Sequence, residues 1–127
     1  MVLVGIDYGK KRTGLAVFVE GMVLPREFIK GTWTNIITKL ESVKQEFDEI
    51  EIILGLPLSA LGKPTELSLE VELFAEKLRS IGFCVHLVNE NRSSIVAKQL
   101  IGKKDRKGHI DSVAACEILK RYLNIYE

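Results

Sequence analysis

The sequence predicts an α/β domain: a mixed five-stranded sheet, with a three-stranded antiparallel meander followed by parallel strands, and helices on both faces. Three observations predict it. The first thirty residues hold three β-rich runs separated by short turns. The remainder alternates apolar strand-like runs with stretches of helical period. The opening run Val2-Leu3-Val4-Gly5-Ile6 is almost wholly apolar, as a central strand covered on both faces must be.

The first strand ends at Asp7, and Tyr8-Gly9-Lys10-Lys11-Arg12 forms a turn. Thr13 to Glu20 is a second strand, Glu20-Gly21 a hairpin turn, and Met22 to Ile29 a third strand whose Pro25 suits a sheet edge. From Thr34 to Phe47, Ile36, Ile37, Leu40, Val43 and Phe47 recur at helical spacing, with the Lys44 stem beside the stripe. Ile50 to Leu56 is a buried strand that opens into a loop over Leu58 to Pro64. Thr65 to Ile81 is a second helix with Leu69, Leu73, Phe74, Lys77 and Leu78 on one side, stopped by Gly82. Phe83 to Val88 is a short strand and Ser93 to Ile101 a short helix. The final helix, Ile110 to about Leu123, turns Ile110, Val113, Ala114, Ile118 and Tyr122 inward.

A chain of 127 residues with 46% hydrophobic content supports one core, so residues 1–127 are expected to form a single domain. The longest apolar runs fall well short of the roughly 20 residues of a membrane span. The N-terminus reads directly as a strand with no signal-peptide pattern, which implies a cytoplasmic protein. Cys84 and Cys116 lie in apolar stretches without metal-type spacing and read as reduced core thiols, and no Cys/His cluster stands out. His86, inside a strand, reads as structural. His109 is a loop histidine near Asp111 that could contact phosphate or shuttle a proton.

Three carboxylates carry the chemistry: Asp7 at the end of the first strand, Glu90 after the strand ending at Asn89, and Asp111 at the start of the last helix. Converging at one sheet edge, they would make an oxygen-lined site for Mg²⁺ or Mn²⁺, the hard ions used in phosphoryl transfer. Two ions about 3.5–4 Å apart, with Asp7 as the bridge, would serve an in-line displacement at phosphate. Each acid also has an ordinary local reading: Asp7 as a turn cap, Glu90 and Asp111 as acids favoured at helix N-termini. A net charge of +1 does not announce a polyanionic partner, but its distribution is informative. Lys11 and Arg12 follow Asp7, and Lys103, Lys104, Arg106 and Lys107 precede Asp111, with Arg92 beside Glu90. These are the expected phosphate contacts, although solubility charge on surface loops would look similar. Ser59 could touch a substrate backbone.

Val-Gly-Ile-Asp-Tyr-Gly-Lys-Lys-Arg-Thr-Gly-Leu-Ala resembles the opening of the YqgF family of pre-16S ribosomal RNA nucleases and Holliday junction resolvase-like proteins. Leu54-Gly55-Leu56-Pro57-Leu58 resembles its second motif, Asn89-Glu90-Asn91-Arg92-Ser93-Ser94 its third, and His109-Ile110-Asp111-Ser112-Val113-Ala114-Ala115 its fourth. The resemblance implies an RNase H-like fold and a hydrolase whose divalent-metal site is formed by Asp7, Glu90 and Asp111. It also implies a role in ribosome biogenesis, trimming the 5′ end of precursor 16S rRNA. The third motif is usually Asp-Glu-Arg-Leu-Thr-Thr, so Asn89 and Asn91 depart from it. Resolution of branched DNA, and an RNA-binding assembly factor without catalysis, stand as alternatives. Resolution would need a dimer, and the chain itself is expected to be a monomer or weak homodimer without membrane contact. The Gly-Ile-Asp-x-Gly opening also occurs in the sugar kinase, Hsp70 and actin superfamily, but those proteins need two such domains.

Overall fold

The structure, a computed structural model, describes residues 2–91 and 109–126. The elements run β1 (Val2–Asp7), β2 (Arg12–Val19), β3 (Met22–Lys30), α1 (Trp33–Phe47), β4 (Ile50–Leu58), α2 (Glu66–Ser80), β5 (Val85–Asn91) and α3 (His109–Tyr126). They build a five-stranded sheet in the order β3-β2-β1-β4-β5. Strands β1, β2 and β3 pair antiparallel, whereas β4 runs parallel to both β1 and β5. The meander and the parallel strands are as the sequence predicts. Pro25 lies on the edge strand β3, where its missing N–H breaks no ladder.

Strand alternation divides the core. Val2, Val4 and Ile6 face one side, where they meet Ile36, Leu40 and Val43 of α1 and Val71, Phe74, Ala75 and Leu78 of α2. Leu3, Ala16, Ile53 and Val88 face the other side and pack against Ala115, Ile118 and Leu119 of α3. Helix α2 is started by a reciprocal cap in which Ser68 N donates to Thr65 Oγ1 at 3.1 Å and Thr65 N to Ser68 Oγ at 2.6 Å.

Several expectations are corrected. Leu69 and Leu73 of α2 are exposed, whereas Phe74 and Leu78 are buried as expected and Val71 and Ala75 complete the stripe at the 3.6-residue period. In α3, Val113 is exposed and Leu119 is buried. Strand β5 begins at Val85 and extends to Asn91, so Glu90 lies within it and pairs with Pro57, because β4 itself continues through its proline to Leu58. Cys84 is exposed rather than a core thiol, since it precedes the strand on an edge of the sheet, and Cys116 is partly buried; both are free. The expected helix Ser93 to Ile101 lies outside the described residues.

Candidate active site

Asp7 is the last residue of β1. It pairs with Gly14 of β2, while its neighbour Ile6 pairs with Leu54, which sets Asp7 level with Gly55 of β4. Gly55 pairs in turn with Val88 of β5, and Glu90 lies two residues further on. Asp7 shares the parity of Leu3, and Glu90 that of Val88, so both carboxylates stand on the α3-facing side at the C-terminal edge of the parallel strands. The Glu90 side chain bends back over Gly55: a Cβ there would lie 3.6 Å from Glu90 Cγ.

Both carboxylates are buried, Asp7 at 8% and Glu90 at 3% relative exposure. Burial of a carboxylate is costly unless charge or hydrogen bonds compensate it. For Glu90 the compensation includes Arg121 of α3, whose Nε donates to Oε1 at 3.0 Å. The sequence reading missed Arg121. It lies thirty-one positions from Glu90 in the last helix, and no local pattern connects the two.

Two glycines bring α3 down onto this edge. A Cβ on Gly5 would come within 2.6 Å of Leu119 Cγ and 2.8 Å of the Ala115 carbonyl oxygen; one on Gly55 would come within 2.5 Å of Ile118 Cδ1. The missing Cβ at both positions leaves room for so close an approach of helix and sheet, most strictly at Gly5, where the opposing atom is a backbone oxygen. Asp111 belongs to the first turn of α3, four residues and about 6 Å of helix rise before Ala115.

Tyr8 anchors the end of β1 from the opposite face. Its hydroxyl donates to Glu70 of α2 and accepts from Trp33 Nε1 at 2.9 Å, and its ring packs 5.4 Å from that of Phe74. Burial, then the Glu70 hydrogen bond, raise the phenol above its ordinary pKa. The backbone beside Asp7 is thereby tied to two helices. A side chain at Gly9 would collide with the Arg12 carbonyl, so the turn after Asp7 requires glycine there. Thr13 Oγ1 lies 3.4 Å from Gly9 N and braces the turn.

Of the expected phosphate contacts, Lys11 and Arg12 are exposed at this turn. The Arg12 guanidinium stands 5.2 Å from the centre of the Phe28 ring, and Lys30, paired with Arg12 across β2 and β3, stands 5.8 Å from it. Lys30 was not singled out from the sequence; the strand register alone brings it here. Arg92, Lys103, Lys104, Arg106 and Lys107 lie outside the described residues. Ser59 is committed to its own loop, its Oγ accepting from Lys63 N at 3.1 Å and Leu61 N at 3.3 Å. His109 opens α3, and His86 stacks on Tyr122 of α3 with ring centroids 5.5 Å apart.

Asp7 and Glu90 present oxygen donors from two rigid strands, a donor set that fits a hard divalent cation and not a soft one. No helix among the described residues is long and apolar enough to cross a membrane.

A relative in Oleidesulfovibrio alaskensis named "Putative pre-16S rRNA nuclease" is 34% identical over 137 residues, covering 100% of this chain and 94% of its own. One of the same name in Mycoplasma mobile is also 34% identical, covering 96% of this chain and 91% of its own. Among solved structures, Thermus thermophilus RuvC in complex with a Holliday junction substrate superposes with a TM-score of 0.61 at 16% identity. It covers 99% of this chain and 96% of that one, and it shows that the fold is RNase H-like. The family model described as RuvX: Holliday junction resolvase matches residues 1–125. With that match, and with relatives similar over their whole length, the chain belongs to the RuvX, or YqgF, family of nucleases.

Proposed function

We propose that this chain is a divalent-metal-dependent nuclease, with Asp7, Glu90 and Asp111 as its metal-binding carboxylates and the 5′ end of precursor 16S rRNA as its cytoplasmic substrate. The observation that carries the reading is the pair of buried carboxylates on one face at the C-terminal edge of the parallel strands, in a member of a nuclease family. Bound Mg²⁺ or Mn²⁺ would supply an activated water and neutralise charge at the scissile phosphate. Asp7 and Glu90 would hold the cation from fixed strands, and Asp111 would complete the set from α3. Arg121 fixes the Glu90 carboxylate. Lys11 and Arg12, with Arg92, Lys103, Lys104, Arg106 and Lys107, bind neighbouring phosphates.

Asn89, which departs from the family motif, has the parity of Val85 and Leu87 and so belongs to the sheet face opposite Glu90. Its lost charge is therefore separated from the carboxylate pair by the sheet itself, which supports catalysis over the assembly-factor reading. A second reading, resolution of branched DNA, is favoured by the description of the matching family.

The test incubates the protein, Asp7→Asn and Glu90→Gln with end-labelled precursor 16S RNA and with a mobile four-way DNA junction, in Mg²⁺, Mn²⁺ or EDTA. Metal-dependent cutting of the RNA, reduced by about 10² or more in both variants, is expected, the scale on which one catalytic electrostatic group acts. Preferred cutting of the junction would select the second reading. Binding without cutting in any metal would overturn the nuclease assignment.

A further inference from the structure

We propose that Glu51, Cys84 and His86 form a separate site for Zn²⁺ or a similar borderline-soft cation, at the opposite end of the sheet from the carboxylate pair. No local motif marks it. Ile52 pairs with Val85, which sets Glu51 of β4 beside Cys84 at the start of β5, and His86 follows two residues later on the same face. One ligand atom from each of the three lies within 4.8 Å of the others. Sequence spacing points to Cys84 as a reduced core thiol and to His86 as structural, because the third member of the cluster comes from a neighbouring strand.

The distances suit coordination. With Zn–S near 2.3 Å and Zn–N near 2.0–2.1 Å, tetrahedral geometry separates sulfur from nitrogen by about 3.5 Å; Cys84 Sγ and His86 Nε2 are 3.6 Å apart. His86 Nε2 and Glu51 Oε1 are 2.8 Å apart, and a small opening of that contact would admit the ion between them. Tyr122 packs against the imidazole and limits its rotation. A histidine–glutamate pair alone would need no thiol, yet Cys84 completes a three-donor set of S, N and O. Cys84 is exposed, which leaves a fourth position for water, the arrangement of an open zinc site.

Donor chemistry separates the two sites. Thiolate and imidazole select Zn²⁺ over Mg²⁺, whereas the all-oxygen carboxylates suit the hard ions Mg²⁺ and Mn²⁺. A cation at Glu51, Cys84 and His86 would tie the edge strand β5, which carries Glu90, to β4 at its beginning.

The experiment titrates the reduced full chain with Co²⁺ and follows the thiolate-to-cobalt charge-transfer band, together with the rise in thermal midpoint that ligand binding produces. With excess Mg²⁺ present to fill the carboxylate site, Co²⁺ is expected to give the band and Zn²⁺ to displace it. Cys84→Ser should abolish the band, His86→Ala and Glu51→Gln should weaken binding on the order of tenfold or more, and Cys116→Ser and Asp7→Asn should retain it. Absence of the band, its survival in Cys84→Ser or its loss in Cys116→Ser would overturn the site. Should Cys84→Ser fail to fold, Glu51→Gln decides: unchanged Co²⁺ affinity there overturns the proposal equally.

Discussion

Arg121 of α3 donates from Nε to Glu90 Oε1 across 3.0 Å, joining a guanidinium that is 46% exposed to a carboxylate side chain that is 3% exposed. The pair ties the last helix to the edge strand and sets a positive charge against a buried negative one. Removing Arg121 takes a charged donor away from a carboxylate that is already desolvated.

Arg121→Met, which keeps the stem and removes the charge, is expected to lower stability in EDTA by about 1–3 kcal/mol, the cost of stripping a buried acceptor of its donor. The figure lies below that for a fully buried pair because the guanidinium is half in water. Mg²⁺ should recover part of the loss if Glu90 is a metal ligand. Urea unfolding with and without Mg²⁺ reads both effects, and equal stability of variant and parent in EDTA would show that the pair contributes nothing.

Gly5→Ala should cost more than Gly55→Ala. At Gly5 the new methyl meets the Ala115 carbonyl oxygen at 2.8 Å, a backbone atom that moves only if α3 moves; at Gly55 its nearest neighbour is the flexible end of Ile118. Overpacking of this kind typically costs about 1–3 kcal/mol. Thermal unfolding of the two variants checks the order, and cleavage by Gly5→Ala should fall further than its stability does, because α3 also carries Asp111.

Tyr8→Phe tests the anchor beneath Asp7. The folded-state pKa of Tyr8 is raised above 10.0, so above that pH the unfolded chain loses the phenol proton while the native state keeps it. The stabilisation from neutral Tyr8 is therefore complete below about pH 10 and is lost as pH rises through the raised value. The stability difference between parent and Tyr8→Phe should be level between about pH 8 and pH 10 and shrink between about pH 10 and pH 11. A difference that stays constant over that range in urea unfolding would mean that Tyr8 does not titrate separately.

Lys30→Ala and Arg12→Ala should weaken RNA binding as phosphate contacts do, almost uniformly across sequences. Each contact removed should lower the slope of log K against log salt by roughly 0.7–0.9. Filter binding across a salt series measures it. An unchanged slope for Lys30→Ala would confine that residue to its contact with the Phe28 ring.

Much of the architecture was legible in the chain because it depends on local period. The apolar run of β1, the meander with Pro25 on its edge strand, and the helical stripe through Ile36, Leu40 and Val43 all follow from backbone geometry that neighbouring residues share. The motifs around Asp7 and Glu90 were legible for a similar reason: the acids stand at or near the ends of strands. On α2, period found Phe74 and Leu78 but also took in Leu69 and Leu73, which are exposed, and missed Val71 and Ala75.

By itself the sequence determined the α/β order and the family, and it singled out the carboxylates proposed as the metal site and the basic turn after Asp7. Tertiary structure alone decided that Arg121 reaches Glu90, that Lys30 joins Arg12 beside Phe28, that Gly5 and Gly55 admit α3, and that Glu51 meets Cys84 and His86. The physical reason is common to all four. Strand register and helix docking bring together side chains far apart along the chain, and neither leaves a periodic trace in the sequence near any one of them.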